Sequence, residues 1–146
     1  MVPKFRGKRK DNGEWVVGVP IPNSFCNMVH MIPILLTDKV AYPPERLHEY
    51  LIEIAPETLG QSTGLKDKNG VEIYCGDIVS VRNHPFQKTE KSGAGIEIDG
   101  DYAISWNEGD LTWCAGNLLL ARLKPYVTVA GNIYENPELL EQANES

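Results

Sequence analysis

The chain has 146 residues, which is the usual size of one domain able to build a single core. Its hydrophobic fraction of 42% and charged fraction of 23% are ordinary for globular proteins and exclude a disordered chain. The net charge of −6 argues against a protein that coats nucleic acid, because that task needs a dominant positive field. We therefore expect one globular domain spanning residues 1–146.

The cysteine count and the hydropathy pattern indicate the cellular compartment. Cys26, Cys75 and Cys114 are far apart and odd in number, which favours reduced thiols over a disulfide framework or a metal knuckle. The N-terminus has no apolar run like a signal peptide, and no window approaches the ~20 apolar residues of a membrane span. The sequence predicts a cytoplasmic protein without a membrane partner.

The first predicted element is an N-terminal hairpin. Residues 5–9 and 14–19 have the composition of strands, and the turn between them contains Asn12 and Gly13. Phe5 alternates with charged residues, so we expect it to face the core and its charged neighbours to face solvent or a partner. The basic residues of this region are Lys4, Arg6, Lys8, Arg9 and Lys10.

Residues 28–54 predict two strands and one helical turn. The apolar run 28–36 is interrupted by Pro33, which favours a strand with an edge or a bulge over a helix. The segment 43–46 places prolines and an acidic residue where a short helical turn begins. Residues 51–54 have the composition of a further strand.

The stretch 58–81 organises the rest of the chain through two turns. Asn69 and Gly70 close a polar loop, because this dipeptide readily takes the positive φ angles of a tight hairpin. Residues 71–74 alternate as a half-buried strand does, and a second turn at Gly76 and Asp77 leads into the strand 78–81.

The segment 83–95 contains polar residues, proline and glycines with little periodicity, which predicts a mobile loop. After it, short apolar runs at 96–98, 102–106 and 111–114 are separated by turns, as in a meander or a small barrel.

The C-terminal part of the chain predicts two more strands and a short helix. The strands are expected at 118–123 and 127–130. The helix, residues 138–141, follows Asn136 as its cap and Pro137 at its first position.

No stretch of the sequence matches a catalytic motif. The histidines are dispersed, and no nucleophile elbow, phosphate loop or dinucleotide fingerprint is present, so we expect no catalytic residues, no cofactor and no metal. Several carboxylates lie in turns, where they could gather to bind a hard cation, although aspartate is also a common turn residue. These carboxylates are Asp67, Asp77, Asp99, Asp101, Glu108 and Asp110.

The basic N-terminal residues and the tryptophans are the candidate interaction residues. The five cations together with Trp15 form a low-specificity candidate surface, and solvated surface charge is the simpler interpretation. The aromatic residues could form a stacking surface for bases or a peptide groove, but aromatic residues in strands usually fill the core. These aromatic residues are Trp15, Trp106, Trp113, Tyr74, Tyr102 and Tyr126.

Three blocks of sequence resemble the YopX family, in the same order and across nearly the whole chain. The blocks are 4–6 (KFR) with 11–15 (DNGEW), 60–70 (GQSTGLKDKNG) with 73–74 and 76–79, and 131–140 (GNIYENPELL). One departure is Cys75, where the family commonly has an acidic or other polar residue. The resemblance implies a small phage or prophage protein without established activity. It also implies a β-rich α+β fold with a small SH3-like barrel-type sheet, an N-terminal hairpin and a short C-terminal helix.

The function expected from these observations is that of a non-enzymatic phage or prophage accessory protein in the cytoplasm of a bacterial host. It would act through contacts with an unknown protein partner or with further copies of itself, since its strands could pair between subunits. The alternative is a nucleic-acid-associated β-barrel module using the basic N-terminal residues. An enzymatic role would depend only on the carboxylate turns.

Overall fold

The computed structural model describes residues 4–25, 28–33, 44–83 and 98–140. These residues form mainly β structure, which confirms the predicted fold class. The strands are β1 (Phe5–Lys8), β2 (Trp15–Phe25), β3 (Met28–Pro33), β4 (Ile52–Ile54), β5 (Gly60–Lys66), β6 (Glu72–Tyr74), β7 (Asp77–Val81), β8 (Gly100–Asn107), β9 (Thr112–Ala115), β10 (Leu118–Leu119) and β11 (Val127–Asn132). Helix α1 is Leu120–Leu123, and 3-10 helices cover Pro44–Glu49, Pro56–Thr58 and Lys124–Tyr126.

The chain divides into two compact units, Met1–Ser62 and Thr63–Ser146. The boundary falls inside β5. Whether they act as one domain, as the sequence predicts, stays a prediction. The predicted mobile loop 83–95 lies outside the described residues except for Asn83, and so does Cys26.

The first unit contains an antiparallel sheet in the order β4-β3-β2-β1-β5. Its small core is Val29, Met31 and Ile54, and Phe5 packs against it, which confirms the inward position predicted for Phe5. Gly7 lies on the same face, where a Cβ would approach the Ile54 side chain to 2.5 Å. A larger residue at this position would therefore require the Ile54 side chain to shift within the core.

The N-terminal hairpin forms as predicted. Arg9 and Glu14 close the loop with a 2.8 Å backbone hydrogen bond, and Gly13 takes a φ of +74°. Asn12 does not share the positive φ, and its Oδ1 instead accepts a hydrogen bond from the Glu14 amide at 2.9 Å. The asparagine therefore stabilises the turn through its side chain, while the glycine supplies the unusual backbone conformation.

The second unit contains an antiparallel sheet in the order β10-β9-β8-β7-β11, with β6 beside the end of β5. Its larger core combines residues of these strands and of α1, namely Ile73, Val79, Val81, Ile104, Ala115, Leu120, Leu123 and Val127. Within the described ranges β10 and β11 are the edges of an open sheet. The expected SH3-like barrel is therefore not closed.

The open edge has a local cause in residues 118–123, which the sequence analysis predicted as one strand. The strand ends after Leu119, and the chain turns into α1, where Leu120 and Leu123 are both buried. A spacing of three residues places both on one face of a helix, whereas in a strand they would point to opposite sides. The prediction of a full strand here was wrong.

The C-terminal helix begins as predicted, with residues 138–140 helical. However, Asn136 is not its side-chain cap. Its Oδ1 accepts a hydrogen bond from the Asn132 amide at 3.2 Å, so it stabilises the preceding turn. Gly131 makes this possible, because a Cβ at that position would collide with the Asn136 side chain.

Candidate interaction surfaces

Arg6 and Lys8 lie on one face of β1 because they alternate along the strand, and Lys4 directly precedes the strand. Lys8 is paired across the hairpin with Trp15. The Arg6 guanidinium lies 4.6 Å from the centre of a Trp15 ring, and the Lys8 ammonium lies 5.6 Å from it. These are cation–π distances, so Trp15 and the two cations form one structural group.

Arg9 and Lys10 lie in a different environment, because each forms an ion pair with a carboxylate. Arg9 donates two hydrogen bonds to the carboxylate of Asp11, at 2.9 and 2.8 Å, and these bonds lower the pKa of Asp11 and raise that of Arg9. Lys10 lies 3.3 Å from Glu53. A shallow cleft of about 390 Å³ is lined by these four residues together with Leu51 and Ile52. Arg9 and Lys10 are therefore locally neutralised, so their contribution to a positive field is weaker than the sequence indicates.

Among the described residues of the second unit, the most exposed apolar group lies at the end of the β8–β9 hairpin. Trp106 and Trp113 are directly opposite each other, with ring centres 5.2 Å apart in an edge-to-face arrangement. Trp113 packs against the core, whereas Trp106 is 45% exposed. Leu111, in the turn, is 74% exposed. We call Trp106, Leu111 and Trp113 the aromatic tip.

The turn at the aromatic tip has an ordered but strained backbone. The Asn107 Oδ1 accepts a hydrogen bond from the Asp110 amide at 3.0 Å, which holds the turn together. Leu111 follows with a φ of +50°, a left-handed backbone conformation that costs a residue with a Cβ roughly 1 kcal/mol. This feature was not predicted, because the sequence pattern places Leu111 in a strand and favours the core for the tryptophans. A large apolar residue directly after the polar turn 107–110 was the available signal.

Asp67 is buried and serves the backbone. Its Oδ1 accepts hydrogen bonds from the amides of Asn69 and Val71, at 2.8 and 2.9 Å, and its Oδ2 accepts one from Val129 at 2.9 Å. Burial by itself raises the pKa of this carboxyl, but the three amide donors and nearby Lys68 oppose it, and the net pKa is lowered. Asp67 is therefore an ionised structural residue that joins a turn to a strand 62 residues away.

The Asp67 turn also covers the outer edge of β11. The Lys68 amide donates to the Val127 carbonyl at 3.1 Å, while the Val129 amide donates to Asp67. The Val127 carbonyl and the Val129 amide are thus satisfied within the chain. These two groups are not free for the strand pairing between subunits that the sequence suggested.

The other buried polar residues also hydrogen-bond to the backbone. Asp77 accepts from the Tyr74 amide at 2.8 Å, and Thr58 accepts from the Lys8 amide at 2.9 Å. Asn132 accepts from the amides of Tyr134 and Glu135, at 3.0 and 2.9 Å. These side chains stabilise turns and strand ends.

In the described part of the chain, the carboxylates of the turns do not gather into the cation site that the sequence left open. Asp99 accepts from the Asn83 amide at 3.0 Å, and Asp101 lies 3.3 Å from Arg82. Within the ranges that the structure covers, no group of three or more His, Cys, Asp or Glu residues could hold a metal ion. Likewise, no helical segment in those ranges is long and apolar enough to cross a membrane.

The predicted turn glycines adopt the positive φ that the sequence indicates. Gly70 has a φ of +85° in open space, and Gly76 has a φ of +91°. A Cβ on Gly76 would lie 3.0 Å from the Tyr134 ring, so this glycine is restricted by packing as well as by backbone. Asn69 does not have a positive φ, and its amide donates to Asp67 instead.

Comparison with known proteins agrees with the resemblance seen in the sequence. A family model described as YopX protein matches residues 4–141. A similar solved structure is the crystal structure of protein EF1440 from Enterococcus faecalis, with 30% sequence identity and a TM-score of 0.54, covering 96% of this chain and 99% of that chain. No curated protein matches. Because the family model covers nearly the whole chain, this protein belongs to the YopX family.

Proposed function

We propose that this protein is a non-enzymatic accessory protein of a phage or prophage that acts in the bacterial cytoplasm by binding another protein. The observation that carries this proposal is the aromatic tip. Exposed tryptophan is enriched at the centre of protein interfaces, because one indole buries a large apolar area at a low entropy cost. Trp106 is held in place by Trp113, so it would lose little further freedom on binding.

The use of the buried polar groups supports a binding role over a catalytic one. Catalytic acids and bases need a free functional atom directed toward a substrate. Here Asp67 and Asp77 accept backbone hydrogen bonds, and Asn132 and Thr58 do the same. These groups serve to build rigid turns, which is what a scaffold displaying a contact surface requires.

The direct test is affinity capture with the immobilised full chain in lysate from prophage-induced host cells, with light scattering on the purified protein. The expected result is stoichiometric retention of a specific protein by the chain, and no such retention by an unrelated acidic protein of equal size. A strictly monomeric chain that retains no protein would refute the proposal.

The nucleic-acid alternative has one observation in its favour, the placement of Arg6 and Lys8 over Trp15. The ion pairs of Arg9 and Lys10 weigh against it, because phosphate binding would have to compete with Asp11 and Glu53. Titration with single- and double-stranded DNA and RNA at low salt tests it. Binding that weakens steeply as salt rises would favour this alternative over the proposal.

A further inference from the structure

Building on the proposed function, we infer that the aromatic tip enters an apolar cleft rimmed by lysine and arginine side chains on a different protein. Trp106 and Leu111 are the most exposed side chains of the aromatic tip. Two acidic residues, Glu108 and Asp110, lie in the turn between them.

Leu111 does not contribute to the stability of its own turn in an obvious way. It combines 74% exposure with a positive φ, so it is unfavourable in both solvation and backbone conformation. Glycine or asparagine would satisfy the same turn without strain. Strained backbone at an exposed position is typical of binding sites, where the contact with a ligand compensates for it. The side chain of Leu111 therefore points to a contact that the isolated chain does not contain.

The charges at the tip define the chemistry of the partner. Glu108 and Asp110 are exposed, and neither carboxylate has an ion pair in the described part of the chain. When Trp106 and Leu111 are buried in a cleft, the carboxylates approach its rim and lose water. A rim of lysine or arginine compensates for that loss, and a cation over Trp106 adds a cation–π contact.

A second copy of this chain fits the tip poorly. A two-fold contact of tip on tip would bring four carboxylates together, because each copy contributes Glu108 and Asp110. The net charge of −6 adds to the repulsion. Among the chain's own cations, Arg9 and Lys10 already pair with Asp11 and Glu53.

The test is site-specific photo-crosslinking in prophage-induced cells, with p-benzoylphenylalanine in place of Leu111. The matched control carries it in place of Val71, which is also apolar, 49% exposed and next to a hairpin turn. The expected result is a crosslink to one different protein from position 111 and none from position 71. A crosslink only to a second copy, only to nucleic acid, or to no molecule would overturn the inference.

The charge requirement is tested in the same assay with the double variant Glu108→Lys and Asp110→Lys. The expected crosslink yield falls on the order of tenfold, because the carboxylates now repel the rim. The control, Glu57→Lys with Glu138→Lys, makes the same change in net charge at exposed sites outside the β8–β9 hairpin and should keep the yield. Equal crosslink yields from both double variants would overturn the inference that lysine and arginine side chains rim the cleft of the partner.

These outcomes separate the inference from the proposed function. If the chain retains a protein in affinity capture while position 111 crosslinks to none, the tip inference fails and the binding role stands. If the chain retains no protein at all, both fail. Circular dichroism melting of each variant identifies any loss of yield that comes from unfolding.

Discussion

Replacing Asp67 with asparagine should destabilise the second unit by about 2–3 kcal/mol. The carboxylate accepts three backbone hydrogen bonds, and a bond to a charged acceptor is worth about 1.5–3 kcal/mol. Asparagine has only one acceptor oxygen, so either the Val129 amide or the turn amides would face an NH₂ group. For a chain of this length, the loss corresponds to a fall of roughly 10 °C in Tm.

The pH dependence of the same variant tests the cause. Because the folded pKa of Asp67 is lowered, its contribution is fully present above the unfolded value of about 3.9 and is lost as pH falls through the folded pKa. The difference in unfolding free energy between wild type and Asp67→Asn should therefore be constant near neutral pH and shrink toward the acid limb.

Urea unfolding followed by circular dichroism and tryptophan fluorescence, repeated from pH 7 downward, measures both quantities. Asp110→Asn is the control, since the Asp110 side chain is exposed and its change should stay within about 0.5 kcal/mol. A loss below 1 kcal/mol for Asp67→Asn at pH 7 would refute the structural role derived for this carboxylate. So would a difference that does not change with pH.

Three further predictions concern the turns and the tip. Gly70→Ala should cost about 1 kcal/mol in urea unfolding, and Gly76→Ala about twice that because of the Tyr134 ring; equal losses would contradict the packing argument. Leu111→Gly should raise stability by about 0.5–1 kcal/mol in thermal melts while reducing partner capture, and a lower Tm would show that Leu111 stabilises the fold. Thr58→Val should cost about 1–2 kcal/mol, measured by urea unfolding, because a strand amide loses its acceptor, and an unchanged midpoint would exclude that bond as a stabilising contact.

The turns could be predicted because their chemistry is local. The residue pairs at 12–13, 69–70 and 76–77 each contain a glycine, and at each turn an aspartate or asparagine side chain accepts a hydrogen bond from the nearby backbone: Asn12, Asp67 and Asp77. The structure confirms the glycine conformations at all three positions. The positive φ expected for Asn12 and Asn69 was wrong. The Asn-Gly dipeptide alone does not distinguish a longer loop from a two-residue turn.

The features that could not be predicted depend on distant residues. Asp67 was identified as a turn residue, but its bond to Val129 needs the β11 edge to lie beside the turn. The pairing of Lys10 with Glu53 similarly joins residues that are adjacent only in the folded sheet. Period and propensity contain no information on such contacts, so the division of the basic residues into two groups became visible only in the structure.

The closure of the β11 edge by the Asp67 turn also affects the order of folding during synthesis. While residues 127–129 are still in the ribosomal tunnel, β7 lacks one neighbour and the Asp67 carboxylate lacks its third donor. A contact across 62 residues carries a substantial loop-closure cost, so this region should be among the last to form. A stalled or truncated chain would therefore present an unpaired strand beside an unsatisfied turn, a form that chaperones and proteases recognise.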